Sequence, residues 1–263
     1  MTSGTGILIF LVLMMFSLVV VSFVNRAQTR NRLIRQKSAQ IRRRLEELEE
    51  VCSSIEPLLE SSLIPKLINE EILDLIRSLE QLTPNDSTLD IKRANANEEA
   101  ANFSSGNRSQ PLYRIQNSDA AIARTKYYLT EAARVVRRHQ AHGRLDATEM
   151  DSYIRELSWA HLMTEVVTHV SQGHKAVNRN QPMAAYGYYR KAQHLLMHSQ
   201  LRDERRHRFI KAISDMLKGK RLAIGSDLMP EVEFNPTSKP DFINSGISLS
   251  DLNQLTDEIY KEP

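Results

Sequence analysis

The sequence predicts an all-α protein with a single N-terminal transmembrane helix, a membrane-proximal coiled coil or helical hairpin, and an antiparallel helical bundle. Three observations support this fold class. Residues 7–24 are continuously apolar, and apolar residues recur at helical or seven-residue spacing in residues 25–82 and 118–221. The alternation of apolar and polar residues that is typical of strands is missing from the sequence of residues 118–219.

The apolar run spans 18 residues and contains no charged residue, proline or glycine. A helix of this length extends about 27 Å, close to the hydrocarbon thickness of a bilayer. The run is therefore predicted to be a transmembrane helix, with residues 1–6 as a short extracytoplasmic N-terminus. A cleaved secretory signal is the alternative, but such a signal begins with a basic segment, and residues 1–6 contain no Lys or Arg.

Basic residues follow the apolar run and none precedes it. An excess of Lys and Arg beside a span marks the cytoplasmic side, so the C-terminal body is predicted to be cytoplasmic, with the span in a bacterial inner membrane. Basic side chains near the bilayer surface also attract anionic headgroups. The predicted headgroup contacts are Arg26, Arg30, Arg32 and Arg35.

Residues 25–82 combine this basic segment with two apolar stripes. One set of apolar residues recurs every seven positions, at Ile34, Ile41, Leu48 and Ile55, and a second set lies four residues after each. This spacing is typical of a coiled-coil seam and predicts self-association through residues 30–60. The alternative is that the helix folds back on its own chain, because Pro65 is followed by a second apolar stripe that ends near Leu82.

Two segments are predicted to be largely disordered. Residues 83–117 are rich in Asn, Ser, Asp, Ala and Gly without a visible period, which indicates a linker. Residues 222–263 form an acidic tail with scattered prolines. Its end carries Leu252, Leu255 and Ile259 at helical spacing, which predicts a short helix that folds into the groove of a protein partner.

Residues 118–221 are predicted to form four helices, each with recognisable end signals. The first helix begins near Ser118 and ends near Gly143, and Asp146 with Glu149 resembles a capping box for the second. Pro182 suits the first position of the third helix, and the fourth covers about residues 203–218. About 100 residues in four helices can bury one modest core.

Residues 166–199 resemble one tetratricopeptide repeat, a helix–turn–helix unit of 34 residues. The matching positions are Gly173, Ala185, Tyr189 and Ala192, whereas His169, Gln172, Ala176 and Met197 depart from the family pattern. The resemblance implies protein binding rather than catalysis, with Tyr186 and Tyr188 as candidate protein-binding residues. A generic antiparallel bundle is the alternative, since one repeat cannot bury its apolar face alone.

Two clusters of side chains have residue types that are typical of binding sites. His194 and His198 share a helix face at a spacing that suits a transition metal, but no HExxH motif or third ligand accompanies them. A solvated pair is favoured, so no metal site is assigned. The basic segment 202–221 suggests contacts to an anionic surface, and the candidate residues there are Arg202, Arg205 and Arg206.

The sequence lacks the Walker A, dinucleotide-binding and nucleophile-elbow motifs, and the single cysteine, Cys52, has no partner for an intramolecular disulfide. We therefore predict a protein without enzymatic activity or cofactor: a membrane-anchored cytoplasmic adaptor or scaffold that mediates protein–protein interaction with an unidentified partner. A membrane tether for nucleic acid or anionic lipid, through residues 202–221, is the alternative, with nucleic acid the less favoured ligand. A metal-dependent hydrolase is the third possibility.

Overall fold

The computed structural model describes the backbone of residues 2–84, 86–104 and 111–237, with few described side chains before Gln28. All regular elements of these residues are helical, which confirms the all-α class. The elements are α1 (Thr2–Ile55), a 3₁₀ helix (Glu56–Leu58), α2 (Leu63–Leu82), α3 (Ser87–Ser104), α4 (Asp119–Ala141), α5 (Ala147–Asn178), α6 (Pro182–His198) and α7 (Glu204–Leu217).

The predicted transmembrane segment, residues 7–24, belongs to the backbone of α1, but most of its side chains lie outside the described residues. Among the parts of helices that the structure does describe, none is both long and apolar enough to cross a membrane.

The chain divides into two compact units. The first comprises Met1–Glu49 with Glu71–Glu98, and the second comprises Glu50–Glu70 with Glu99–Pro263. This division differs from the sequence-based one, because the predicted hairpin of residues 25–82 is shared between the two units.

In the first unit, ion pairs connect α3 to both other helices. Lys92 of α3 contacts Glu49 of α1 at 2.5 Å, and Arg93 contacts Glu80 of α2 at 2.6 Å. The buried apolar residues of this unit are Leu45, Leu48, Ile72, Ile76, Leu79, Leu89 and Ala96.

Helix α3 corrects the prediction that residues 83–117 form a disordered linker. Asp86 precedes the helix, and its carboxylate accepts hydrogen bonds from the Thr88 backbone N–H at 3.1 Å and the Thr88 hydroxyl at 2.6 Å. The buried side chains of α3 are Leu89, Ala96 and Phe103, spaced seven residues apart. So sparse a stripe gives little amphipathic signal, which explains why composition alone indicated disorder.

The C-terminal part of the heptad stripe of α1 is buried within its own chain, as the fold-back alternative predicted. Leu45, Leu48, Cys52, Ile55 and Leu59 are all buried within the single chain. The Cys52 thiol lies 3.6 Å from the Pro65 carbonyl oxygen, at the start of α2. Self-association through residues 30–60 stays a prediction.

The second unit contains the predicted four-helix body, and its helix ends follow the predicted signals. Ser118 caps α4, and Asp146 and Glu149 form a complete capping box on α5. Gly143 and Gly219 adopt φ values of 70° and 66° just beyond α4 and α7, where a side chain would be strained. The largest side chains of the core come from α5, α6 and α7 and include Trp159, Met163, Tyr189, Phe209 and Met216.

The first part of the tail, residues 222–237, corrects the prediction of disorder. Ile224 and Met229 lie in the core, and Glu231 forms a fully buried ion pair with Arg114, at 2.8 Å between Glu231 Oε1 and Arg114 Nε. Arg114 also donates its backbone N–H to Glu231 and a side-chain N–H to the Leu228 carbonyl. Arg114 and Glu231 are 117 residues apart in the sequence and belong to no periodic pattern, so the sequence did not predict this contact.

Candidate functional site: a cationic groove along helices α4, α5 and α6

The hairpin of α5 and α6 is packed at very short range. A Cβ atom placed on Gly173 would lie 2.3 Å from Tyr189 Cε1, so only glycine allows this approach. Ala185 and Ala192 are fully buried on α6. Small residues and a buried ring therefore take the positions that carry the resemblance to a tetratricopeptide repeat.

A polar contact fixes the Tyr189 ring in place. Its hydroxyl oxygen and His174 Nδ1 share a hydrogen bond of 2.8 Å, and both side chains are inaccessible to solvent. Burial lowers the pKa of His174 to about 4, so the imidazole is neutral near pH 7. The hairpin thus has a rigid interior behind its exposed face.

On that face, α4, α5, α6 and the segment after α6 enclose a cavity of about 620 Å³, which we call the α4–α6 groove. Its apolar lining is supplied mainly by leucines, and its ionisable lining by lysine, arginine, glutamate and histidine. The leucines are Leu129, Leu157, Leu162, Leu195 and Leu201, and the ionisable residues are Lys126, Arg137, His161, Glu165, His194 and His198.

The fixed charges of the groove are unequal. Lys126 and Glu165 form an ion pair between α4 and α5, so their charges largely compensate each other. Arg137 is exposed and adds a further positive charge on α4. The groove therefore has a positive net charge even when all its histidines are neutral.

The histidines of the groove make that charge dependent on pH. Desolvation, followed by the charge of Lys126, lowers the pKa of His161. Desolvation also lowers the pKa of His194, with smaller contributions from His198 and Arg190. Both imidazoles are therefore largely neutral at pH 7 and bind a proton only at a pH below the ordinary 6.5.

His194 and His198 lie close together, as their spacing predicted. Their ring centroids are 3.7 Å apart, and His198 Nδ1 donates to the His194 carbonyl oxygen at 3.0 Å. Within the described part of the chain, no group of three or more His, Cys, Asp or Glu residues is arranged to hold a metal ion. The pair contributes instead to the wall of the α4–α6 groove.

The two candidate tyrosines occupy different environments outside the groove lining. Tyr186 is half-buried and packs against the core, whereas Tyr188 is exposed and stacks on His169 with ring centroids 6.4 Å apart. The structure therefore presents Tyr188, but not Tyr186, as an accessible aromatic side chain on α6.

Two of the three candidate arginines in the basic segment 202–221 make contacts within the chain. Arg205 contacts Asp203 at 2.8 Å and Glu60 at 2.6 Å, and its guanidinium lies 4.5 Å from the Trp159 ring centroid. Arg206 donates to the Ser199 carbonyl oxygen. Arg202 is the exposed member of the predicted trio.

The remaining predicted contact residues lie at the two ends of the chain. Arg26, Arg30, Arg32 and Arg35 are exposed on α1. The predicted tail residues Leu252, Leu255 and Ile259 lie outside the described residues.

Sequence reasoning missed the α4–α6 groove and the role of its α4 side chains. Lys126 and Arg137 are eleven residues apart, which is close to three helical turns, so they share a helix face. The sequence alone therefore predicts that Lys126 and Arg137 share a helix face, but nothing in it shows that this face borders α5 and α6.

Comparison with known proteins adds no relative. No family model matches the chain, and neither the curated proteins nor the solved structures give a match.

Proposed function

We propose that this protein is a membrane-anchored adaptor whose α4–α6 groove binds an acidic amphipathic segment of a protein partner. In this proposal residues 7–24 cross a bacterial inner membrane, and the helical body faces the cytoplasm. The basic residues that follow the span, including Arg30, Arg32 and Arg35, support this orientation and contact anionic headgroups.

The α4–α6 groove is the observation that carries the proposal. Its volume of about 620 Å³ accommodates several side chains of a bound helix, and its leucines supply apolar contacts. Arg137 places a positive charge on its α4 wall, the charges of Lys126 and Glu165 largely compensate each other, and the histidines add positive charge only when they are protonated. An amphipathic helix with apolar residues on one face and carboxylates beside them complements both features.

The alternative of an anionic tether through residues 202–221 has weaker support. Arg205 and Arg206 are committed to contacts within the chain, and a cation that already has a carboxylate or carbonyl partner offers less attraction to a phosphate. Arg202 and its exposed neighbours still give this segment a positive surface.

A titration with a designed peptide tests the groove. The acidic probe peptide is a fluorescent amphipathic helix of about four turns, with leucines on one face and Asp or Glu beside them; the control peptide carries Asn and Gln instead. The full-length protein is held in nanodiscs, and binding is measured by anisotropy. We expect the acidic probe to bind more tightly than the control.

Two arginine variants locate the binding surface. Arg137→Glu reverses a charge in the groove and is expected to weaken binding of the acidic probe about tenfold, whereas Arg138→Glu makes the same change outside the groove lining and is expected to have at most a twofold effect. Equal effects of the two variants would contradict the proposal.

A reporter experiment tests the anchor separately. A reporter that is active only in the cytoplasm, fused after Pro263, is expected to be active and to sediment with membranes. A periplasm-specific reporter that is active at the same position would contradict the orientation.

A further inference from the structure

The C-terminal sequence of this chain has the chemical character that the α4–α6 groove accepts. If residues 250–260 form a helix, Leu252, Leu255 and Ile259 share one face. Asp251, Asp257 and Glu258 lie beside or opposite that face. The segment is therefore an acidic amphipathic sequence within the protein itself.

The groove is complementary to that segment in both polarity and sign of charge. Its walls combine leucines with the exposed cation Arg137, while Lys126 and Glu165 largely compensate each other and the histidines carry charge only when protonated. Apolar contacts favour burial of the leucine face, and the positive charge of Arg137 favours Asp251 and Glu258, the two carboxylates that lie beside that face. Residues 25–44, by contrast, are basic, so their charge has the same sign as that of the groove.

The described chain ends within reach of the groove, because the Phe234 carbonyl accepts a hydrogen bond from Asn178 at the end of α5, and Glu165 of the groove lies thirteen residues, about 20 Å, earlier on that helix. Residues 238–249 join Thr237, the last described residue, to the amphipathic segment. Twelve residues reach about 40 Å when extended and have an r.m.s. end-to-end distance of about 20 Å as a flexible chain. A tether of this length gives an effective concentration on the order of 1 mM, so even weak affinity yields substantial occupancy.

We propose that residues 250–260 of the same chain dock as an amphipathic helix in the α4–α6 groove and compete with a partner for it. This inference rests on the proposed function, because it uses the same groove, and it identifies the chain's own C-terminal segment as the resident ligand. A partner must then displace the tail, which makes the adaptor self-inhibited.

A spin label on the tail tests the docking directly. Cys52 is 4% exposed, and burial raises the pKa of its thiol, so a second cysteine introduced as Gln254→Cys is the reactive one. Residue 254 lies away from the leucine face of the helix, so a label there leaves the apolar contacts intact. The labelled full-length protein is studied by electron paramagnetic resonance with one copy per nanodisc.

The proposal predicts a motionally restricted spectrum that depends on the groove. The restricted component is expected to fall to about half with Arg137→Glu, to disappear with the tail variant Leu255→Asp/Ile259→Asp, and to persist with the matched control Arg138→Glu. A mobile label in the parent protein, or a restricted component that Arg137→Glu does not reduce, would overturn the proposal.

Binding of the acidic probe peptide separates this inference from the proposed function. With a tail affinity of about 100 µM and the effective concentration given above, releasing the tail by Leu255→Asp/Ile259→Asp is expected to tighten probe binding about tenfold. If the probe binds the groove but the tail variant leaves its affinity unchanged, self-docking is wrong and the groove remains a partner site. If the probe does not bind even to the tail variant, both proposals fail.

Discussion

Replacing Gly173 by alanine tests the close packing of α5 against α6. The added Cβ would lie 2.3, 2.6 and 2.9 Å from three atoms of the Tyr189 ring, all shorter than a tolerated contact. The ring cannot move away easily, because Tyr189 is 1% exposed and its hydroxyl is hydrogen-bonded to His174. Overpacking of this kind costs about 1–3 kcal/mol.

The net effect includes an opposing contribution from helix propensity. Alanine stabilises a helix interior by about 1 kcal/mol relative to glycine. The substitution Gly173→Ala is therefore expected to lower the free energy of unfolding by up to about 2 kcal/mol, the overpacking cost less this gain. The single tryptophan, Trp159, is buried in the same core, so its fluorescence during urea unfolding of the full-length protein in mild detergent reports the loss.

A second variant distinguishes the clash from other causes. In the double variant Gly173→Ala/Tyr189→Leu, the ring is absent, so the alanine should be neutral or stabilising relative to Tyr189→Leu alone. If Gly173→Ala is stabilising in the parent protein, or destabilises equally without the ring, the packing described for this hairpin is incorrect.

Three further results are expected. Glu231→Ala leaves Arg114 buried without its carboxylate partner and should lower the free energy of unfolding by about 3–5 kcal/mol, as measured by Trp fluorescence. Replacing both residues, by Met and Leu, should recover most of this loss. Because the pKa of His174 falls from the ordinary 6.5 to about 4 on folding, the free energy of unfolding should decrease by up to about 3 kcal/mol as the pH falls from 6.5 to 4. His174→Gln should make the free energy of unfolding less dependent on pH in this range. An unchanged pH dependence in the variant would contradict the lowered pKa of His174. Because the pKa values of His161 and His194 are lowered from the ordinary 6.5, acidic-probe binding should tighten only as the pH falls below 6.5, over the range in which the carboxylates of the probe stay ionised; affinity that is constant or falls there would show that these groups do not face the ligand.

The helical body was predictable because its signals are local. Ser118, the Asp146–Glu149 capping box and Pro182 each act within one helical turn, and the corresponding helices begin where these residues stand. The family resemblance singled out both Gly173 and Tyr189, but it did not predict that the two residues pack directly against each other.

The missed features depend on contacts between residues that are far apart in the sequence. Helix α3 is held by ion pairs of Lys92 and Arg93 and by a sparse apolar stripe, so its composition resembled that of a linker. The buried pair of Arg114 and Glu231 joins positions 117 residues apart. Likewise the α4–α6 groove is formed by the packing of α4 and α6 against α5, which also brings Lys126 beside Glu165.

Photo-cross-linking with the acidic probe peptide tests the central claim most directly. A benzophenone on the leucine face of the probe should react with groove residues of α4, α5 and α6 in the full-length tail variant, and peptide mass spectrometry identifies those residues. We expect cross-links concentrated at the half-buried groove residues Leu162, Leu195 and Leu201, and we expect them to decrease when Arg137→Glu is introduced. Cross-links concentrated in residues 202–221 or 25–44 instead would contradict the groove as the binding site.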